Sequence, residues 1–467
     1  MKRCWKRLTV KRPLPLKRQD SGLKAVLGLV DLMILGLGAI IGTGIFLFTG
    51  VAAAKYAGPG VVFSLLIAGL GASFIALCYA ELASMIPSAG SAYTYAYTAF
   101  GEFIAWLVGW DLVLLYVVSP SAVAIGWSGY FSRLLKQLGF PLPDALIHSP
   151  GGAEGAIINL PASLISASVA VLLILGMRKS ANVGIALVLI KLGVLLLFII
   201  LGFGHIDPAN WQPLMPFGWK GVMAGAAITF FAYLGFDALS TAAEETKEPQ
   251  RVLPIAIIAA LLTSVLLYLS VAAILTGVIP QKIYPQLVNN PAPLAFVLEY
   301  IGEGRAAAIL SLGALFGLTS VLLVLMMGQP RIFFSMAQDG LLPKIFARLH
   351  PRLGTPYLST LFTGLAIALM AGFLPIGPLA ELANIGALFA YSLVAAGAWF
   401  LRHTHREWHR TFRAPGLDFI APGAIALCAY MMVSLPWETW RRFLVWLALG
   451  SLTYFFYAYR HSNLANK

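Results

Sequence analysis

Charge is what this chain has least of. Only 11% of its 467 residues are Asp, Glu, Lys or Arg, against about 25% in soluble domains. A water-facing surface cannot be assembled from so few charges, which excludes a soluble enzyme of this length. Disorder is excluded by the 59% hydrophobic content, because unfolded chains are poor in apolar residues. Cysteine is also scarce. Cys4, Cys78 and Cys428 form no CxxC pair and no even disulfide set, and the latter two read as packing residues in apolar stretches. No Walker-type phosphate loop is present, so ATP is not the driving force. No Asn-x-Ser/Thr glycosylation site occurs either.

What the chain has instead is apolar length, with a mean hydropathy of +0.84. A helix crossing the ~30 Å hydrocarbon core needs about 20 mostly apolar residues. Twelve stretches meet that measure: 28–54, 61–84, 101–128, 161–177, 182–204, 221–243, 254–279, 305–333, 357–374, 379–401, 419–435 and 437–458. The expected fold is an all-α polytopic membrane protein with twelve transmembrane helices. The first stretch follows a basic tail, as a signal peptide would. Its apolar run far exceeds the usual ~7–15 residues, however, so it reads as an uncleaved helix.

Lys and Arg number 32 against 19 acids, a net charge of +13. That balance could suggest nucleic acid, but its placement says otherwise. An even span count puts both tails on one side. Twenty-three of the 32 fall on that side, eight on the other, and Lys191 lies inside a span. The bias predicts cytoplasmic termini in a cell membrane. The charge is then a topology and lipid-headgroup signal, not a nucleic-acid surface.

Two spans carry a defect at mid-length. The first reads Gly36-Leu37-Gly38-Ala39-Ile40-Ile41-Gly42-Thr43-Gly44-Ile45, with four glycines that each weaken a helix by up to about 1 kcal/mol. The sixth reads Phe230-Phe231-Ala232-Tyr233-Leu234-Gly235-Phe236-Asp237. Close-packing glycines explain the first alone, since Gly38 and Gly42 form a small-xxx-small pair. Interruptions at matching positions in two halves point instead to a transporter site between inverted repeats. A half-helix starting near Gly44 offers free N–H groups and a positive dipole end, suited to a carboxylate. Free carbonyls around Phe231, Ala232 and Leu234 suit an ammonium. Together they fit the backbone of an α-amino acid.

The strings GAIIGTGIF (38–46), FFAYLGFDALSTAAEETKEPQRVLP (230–254), GQPRIFFSMAQDGLLPKIFARLHP (328–351) and ELANIGALFAY (381–391) resemble the amino acid–polyamine–organocation superfamily. More narrowly, they resemble bacterial relatives of the cationic amino acid transporters. The resemblance covers nearly the whole chain. It implies a LeuT-like 5+5 inverted repeat plus two C-terminal helices: tail 1–27, repeats 28–204 and 221–401, a pair at 419–458 and tail 459–467. It also implies amino acid uptake by proton symport, the proton being the coupling ion and no other cofactor being needed. Exchange remains the alternative within transport, and a transporter-like nutrient sensor the alternative outside it.

Lys191 stands about 13 Å from either end of its span, too far for its ammonium to reach water. A central lysine costs roughly 2.5–3.5 kcal/mol to insert, which marks it as functional. The resemblance implies an ammonium held against the broken first helix, where sodium-coupled relatives hold sodium; Lys191 is then the proton-coupling residue. Asp237 either caps the second half-helix or takes part in coupling. By resemblance, Gly42, Thr43, Gly44 and Ile45 receive the substrate carboxylate, and Phe231 closes over the substrate. Ile40, Tyr116, Ser320 and Val321 bound the side-chain pocket. Many cationic-transporter relatives carry an acid where this chain has Leu115, so a small neutral substrate such as alanine stands beside Arg or Lys. Asp111 and Glu381 are weaker candidates. Glu81 and Glu102, at span ends, are explained by a wet interface.

No paired carboxylates suit an enzyme. His403-x-His405-Arg406-x-x-His409 has metal-like spacing, but among arginines it reads as a solvated basic loop. Segments 244–254 and 337–351 read as connections that gate the tail side. The expected partners are an amino acid and the lipid bilayer, with no nucleic acid and no metal; a small membrane accessory subunit stays open.

Overall fold

The computed structural model describes residues 9–12, 25–175, 177–288, 290–351 and 354–464. Most tail lysines and arginines, with Arg352 and the side chains of Arg178 and Lys179, lie outside the described residues. Helix occupies most of each apolar stretch, because backbone without water must satisfy its own hydrogen bonds. The principal helices are α1 (Leu29–Ile40), α2 (Val61–Met85), α3 (Ala92–Phe100), α4 (Glu102–Gln137), α5 (Leu160–Ile174), α6 (Met177–Phe203) and α7 (Gly218–Thr229). They continue as α8 (Pro249–Val278), α9 (Gly304–Gln338), α10 (Tyr357–Phe373), α11 (Ile376–Thr404), α12 (Leu417–Val433) and α13 (Trp437–Thr453).

Among the described residues, seven helical segments are long and apolar enough to cross a membrane, the first running Leu29–Met85. A pair bent by 113°, Leu417–Val433 with Trp437–His461, reaches that length and apolarity only when its two helices are taken together as one span. α5 and α10, at 15 and 17 residues, fall short of that length. α4 outruns its expected end, continuing through Pro120 to Gln137. Burial separates core from rim. The apolar window of Gly218–Thr241 is 83% buried, whereas that of Gly184–Phe203 is 33% buried. The broken helix is therefore central, and α6 lies at the rim.

Both described tails meet at one end of the bundle, here the tail face. Arg12 Nη1 pairs with Asp339 Oδ2 at 3.0 Å, and the Asn463 amide donates to the Asp339 carbonyl at 2.9 Å. Burial pushes the Asp339 carboxyl up from its ordinary range, while Arg12 and the Tyr93 hydroxyl pull it back. Contacts between elements close off part of the tail face among the described residues. The amides of Val26 and Leu27 donate to the Glu245 carbonyl at 2.8 and 3.0 Å. The Glu245 carboxylate pairs with Arg331 at 2.8 Å, both side chains buried. The Ala89 amide donates to Glu244 at 3.0 Å. Segments 244–254 and 337–351 thus supply residues to this closure.

Candidate functional site

The first break follows Ile40. Ile41 turns extended (φ −76, ψ 91), and the next turn begins with the Ile45 and Phe46 amides both donating to the Gly42 carbonyl at 3.2 Å. π-turns follow over Gly44–Phe48, where the Tyr130 hydroxyl from α4 donates to the Phe46 carbonyl at 2.9 Å. The second break follows α7. A 3-10 turn, Phe230–Tyr233, leads to extended Leu234 and then to Gly235 at φ +112, in the left-handed region.

The two breaks interlock, and glycine is what lets them. A Cβ on Gly44 would lie 2.1 Å from the Ala232 Cα, and one on Gly235 2.8 Å from the Ala39 carbonyl oxygen. Tyr268 of α8 ties them further. Its hydroxyl lies 2.7 Å from the Ile40 carbonyl oxygen and 2.9 Å from that of Ala232, one on each break. Tyr268→Phe removes that shared donor from two buried carbonyls. The expected loss is about 1–3 kcal/mol, read as a lower Tm of the purified protein with loss of substrate-dependent stabilisation.

Lys191 sits on rim helix α6 yet is 0% exposed. Its Nζ donates to the carbonyls of Leu37, Gly38 and Ile41 at 3.1, 2.9 and 2.9 Å, with Ser320 Oγ at 3.0 Å. The Ser320 hydroxyl donates to the Gly317 carbonyl at 2.6 Å, which leaves an Oγ lone pair for the ammonium. The unwinding of α1 frees the Gly38 and Ile41 carbonyls for this charge, while the Leu37 carbonyl also accepts from the Ile41 amide at 3.1 Å. A buried ammonium is tolerated where such acceptors surround it.

Asp237 is 2% exposed, and its two oxygens accept from the Tyr116 and Tyr391 hydroxyls, each at 2.7 Å. This corrects the capping expectation: the following helix, Ala238–Thr241, has four residues and no side-chain cap from Asp237.

Of the expected site residues, Ile40, Gly42, Thr43, Gly44 and Ile45 gather at the first break, and Phe231, Ala232 and Leu234 at the second. Val321 adjoins Gly42, its Cγ2 3.2 Å from where a Cβ would stand. Phe231 packs edge-on to Phe48, centroids 5.1 Å apart. Several expected free groups are engaged. The Ile45 amide is held by Gly42, the Phe231 carbonyl accepts from the Leu234 amide at 3.3 Å, and the Ala232 carbonyl accepts from Tyr268. Of the residues expected in the side-chain pocket, Tyr116 donates its hydroxyl to Asp237 and Ser320 Oγ accepts from Lys191.

Among the described residues, the Thr43 hydroxyl is buried without a partner, as are both oxygens of Asp111. Because no donor depends on it, Asp111→Asn should leave Tm unchanged or higher. Asp237→Ala strands two buried tyrosine hydroxyls and should lower Tm by an amount equivalent to about 2 kcal/mol or more. Thermal unfolding of the two variants side by side checks this contrast.

Glu81 and Glu102 are not at a wet interface. Each is at most 1% exposed, Glu81 among Arg402, Arg410 and the Ala414 amide, Glu102 among the hydroxyls of Tyr97, Tyr454 and Ser462. Tyr97 apart, their partners lie more than 300 residues away along the chain, so span-end position misleads. Tyr268 and Tyr391 went unread for the same reason; the available signal was a lone hydroxylated ring within an apolar helix.

Paired interrupted helices around a buried ammonium are the build of a membrane transport protein. The chain belongs to the amino acid permease family, within the amino acid–polyamine–organocation superfamily: the family described as "Amino acid permease" matches residues 27–454. It is similar to the methylthioribose transporter of Bacillus subtilis (strain 168), 44% identical over 454 residues, covering 97% of each chain. It is as similar to the branched-chain amino acid permease BcaP of the same organism, 44% identical over 447 residues, covering 95% of each. Human cationic amino acid transporter 4 is 34% identical over 413 residues, 86% of this chain and 63% of that one. The family and these relatives are transporters, so the chain is a transport protein and not an enzyme.

Proposed function

We propose that this protein imports a neutral L-amino acid across the cell membrane by proton symport, with alternating access. In this reading twelve spans form two inverted five-helix repeats and a C-terminal pair, with both termini cytoplasmic. The observation that carries it is the meeting of the two breaks. The new helix start at Gly42–Gly44, beside the unpartnered Thr43 hydroxyl, receives the substrate carboxylate, and carbonyls of the 231–234 segment receive its ammonium. Separation of Gly44 from Ala232 makes the room. Phe231 is the gate, and Lys191 with Asp237 couples the proton.

Neutral specificity is supported by Ile40, Leu115 and Val321, all buried and none able to balance a cationic side chain. The branched-chain permease matched over nearly its full length favours the same choice. The equal likeness to a methylthioribose transporter favours a second reading, since that solute has neither ammonium nor carboxylate.

Counterflow in proteoliposomes, with and without an inward proton gradient, separates these. The panel is alanine, leucine, arginine and methylthioribose. Alanine or leucine accumulating against its gradient is the expected result. Uptake that ignores the gradient but requires internal substrate means exchange. Counterflow of methylthioribose alone would overturn the amino acid reading, and binding without any flux would favour a sensor.

A further inference from the structure

The arginine-lined cavity where α11 meets α12 has no part in the site above. We propose that it binds the anionic phosphate headgroup of a membrane phospholipid. It encloses about 270 Å³ and is lined by Arg402, His403, Arg406, Arg410, Arg413 and Asp418; about 10–15 Å³ suffices for one water.

Its floor is fixed. Glu81 of α2 accepts from Arg402 Nε at 2.9 Å and from the Ala414 amide at 2.9 Å, and lies 3.3 Å from Arg410 Nε. Arg410 Nη2 also donates to the carbonyls of Leu401 and His405 at 3.0 Å. Arg402 and Arg410 thus meet Glu81, and the cavity lining adds Arg406, Arg413 and Asp418, so four guanidinium groups stand against two carboxylates, a surplus of two positive charges. Arg406 and Arg413 are exposed and pair with no acid among the described residues. Burial holds the Arg410 guanidinium below its ordinary range; Glu81 opposes that, and nearby Arg402 and Arg413 add to it. An anion supplies the missing charge, and guanidinium forks match phosphate oxygens two at a time.

The neighbouring surface selects a lipid over a soluble phosphate. Trp399 and Phe419 on the same two helices are 41% and 86% exposed, and Trp399 Nε1 donates to Asp418 at 3.3 Å. Charged groups thus stand beside bare rings, as a headgroup stands beside its acyl chains. The histidine motif resolves accordingly: His403 lines the cavity, while His405 packs on Trp408 with centroids 4.1 Å apart.

Native mass spectrometry of the full-length protein in neutral detergent tests this, with phosphatidylglycerol, phosphatidylcholine or inorganic phosphate added. Phosphatidylglycerol should be retained about tenfold or more over phosphatidylcholine, and that preference should fall about tenfold or more in R406Q/R413Q. The double variant disturbs no buried pair and should keep the wild-type Tm; R406K/R413K should restore much of the preference. Equal retention of phosphatidylglycerol by wild type and R406Q/R413Q overturns the proposal. Retention of inorganic phosphate with no preference between the lipids overturns it in favour of a soluble ligand.

Discussion

Lys191→Ala abolishes accumulation driven by an inward proton gradient: this is the largest effect expected of any single side chain. The ammonium is the donor that the carbonyls of Leu37, Gly38 and Ile41 share, and all three belong to the turn where α1 stops. Removing it strands the Gly38 and Ile41 carbonyls, at about 1–3 kcal/mol each when unsatisfied, at the point where the chain must hold an unwound conformation; the Leu37 carbonyl keeps the Ile41 amide. The substitution also removes the charge proposed to couple the proton. Lys191→Met keeps most of the volume and isolates the charge. Both variants should keep at most exchange-type counterflow in proteoliposomes, with concentrative uptake reduced to background. Concentrative uptake persisting in Lys191→Met would remove Lys191 from the coupling mechanism.

Gly44→Ala is the second. The added methyl would stand 2.1 Å from the Ala232 Cα and 2.4 Å from its Cβ. Backbone occupies that space, so no rotamer change relieves the clash and the two breaks must part. Overpacking of ordinary cores costs about 1–3 kcal/mol; here it also displaces the helix start proposed to hold the carboxylate. Substrate affinity should fall about 100-fold or more, equivalent to roughly 2.7 kcal/mol, read as loss of substrate-induced thermal stabilisation. Gly42→Ala is the internal control. Its Cβ would meet the Val321 methyls at 3.2 and 3.4 Å, a side chain that can yield, so a mild effect is expected. Wild-type affinity in Gly44→Ala would show that the close approach of the breaks has no bearing on binding.

The helical character, the apolar stretches and the location of both breaks were legible in the residues, because each depends on local properties. Glycines at 36, 38, 42 and 44 weaken one helix wherever it packs, and Lys191 cannot reach water from mid-span in any arrangement. Which carbonyls Lys191 would find was not legible from its own helix. Neither was the fate of Asp237, for which capping is the natural reading of an acid just after a break. Its partners, Tyr116 and Tyr391, lie 121 and 154 residues away along the chain.

Composition and spacing alone determined that this protein is a bundle of apolar helices, two of them interrupted, with a lysine that must be satisfied inside. Tertiary structure alone decided that Gly44 meets Ala232, that Tyr268 joins both breaks, and that Glu81 and Glu102 are enclosed. The reason is physical. Helical periodicity is set by residues a few positions apart, whereas the rotation and depth of each helix against its neighbours follow from packing summed over the whole bundle.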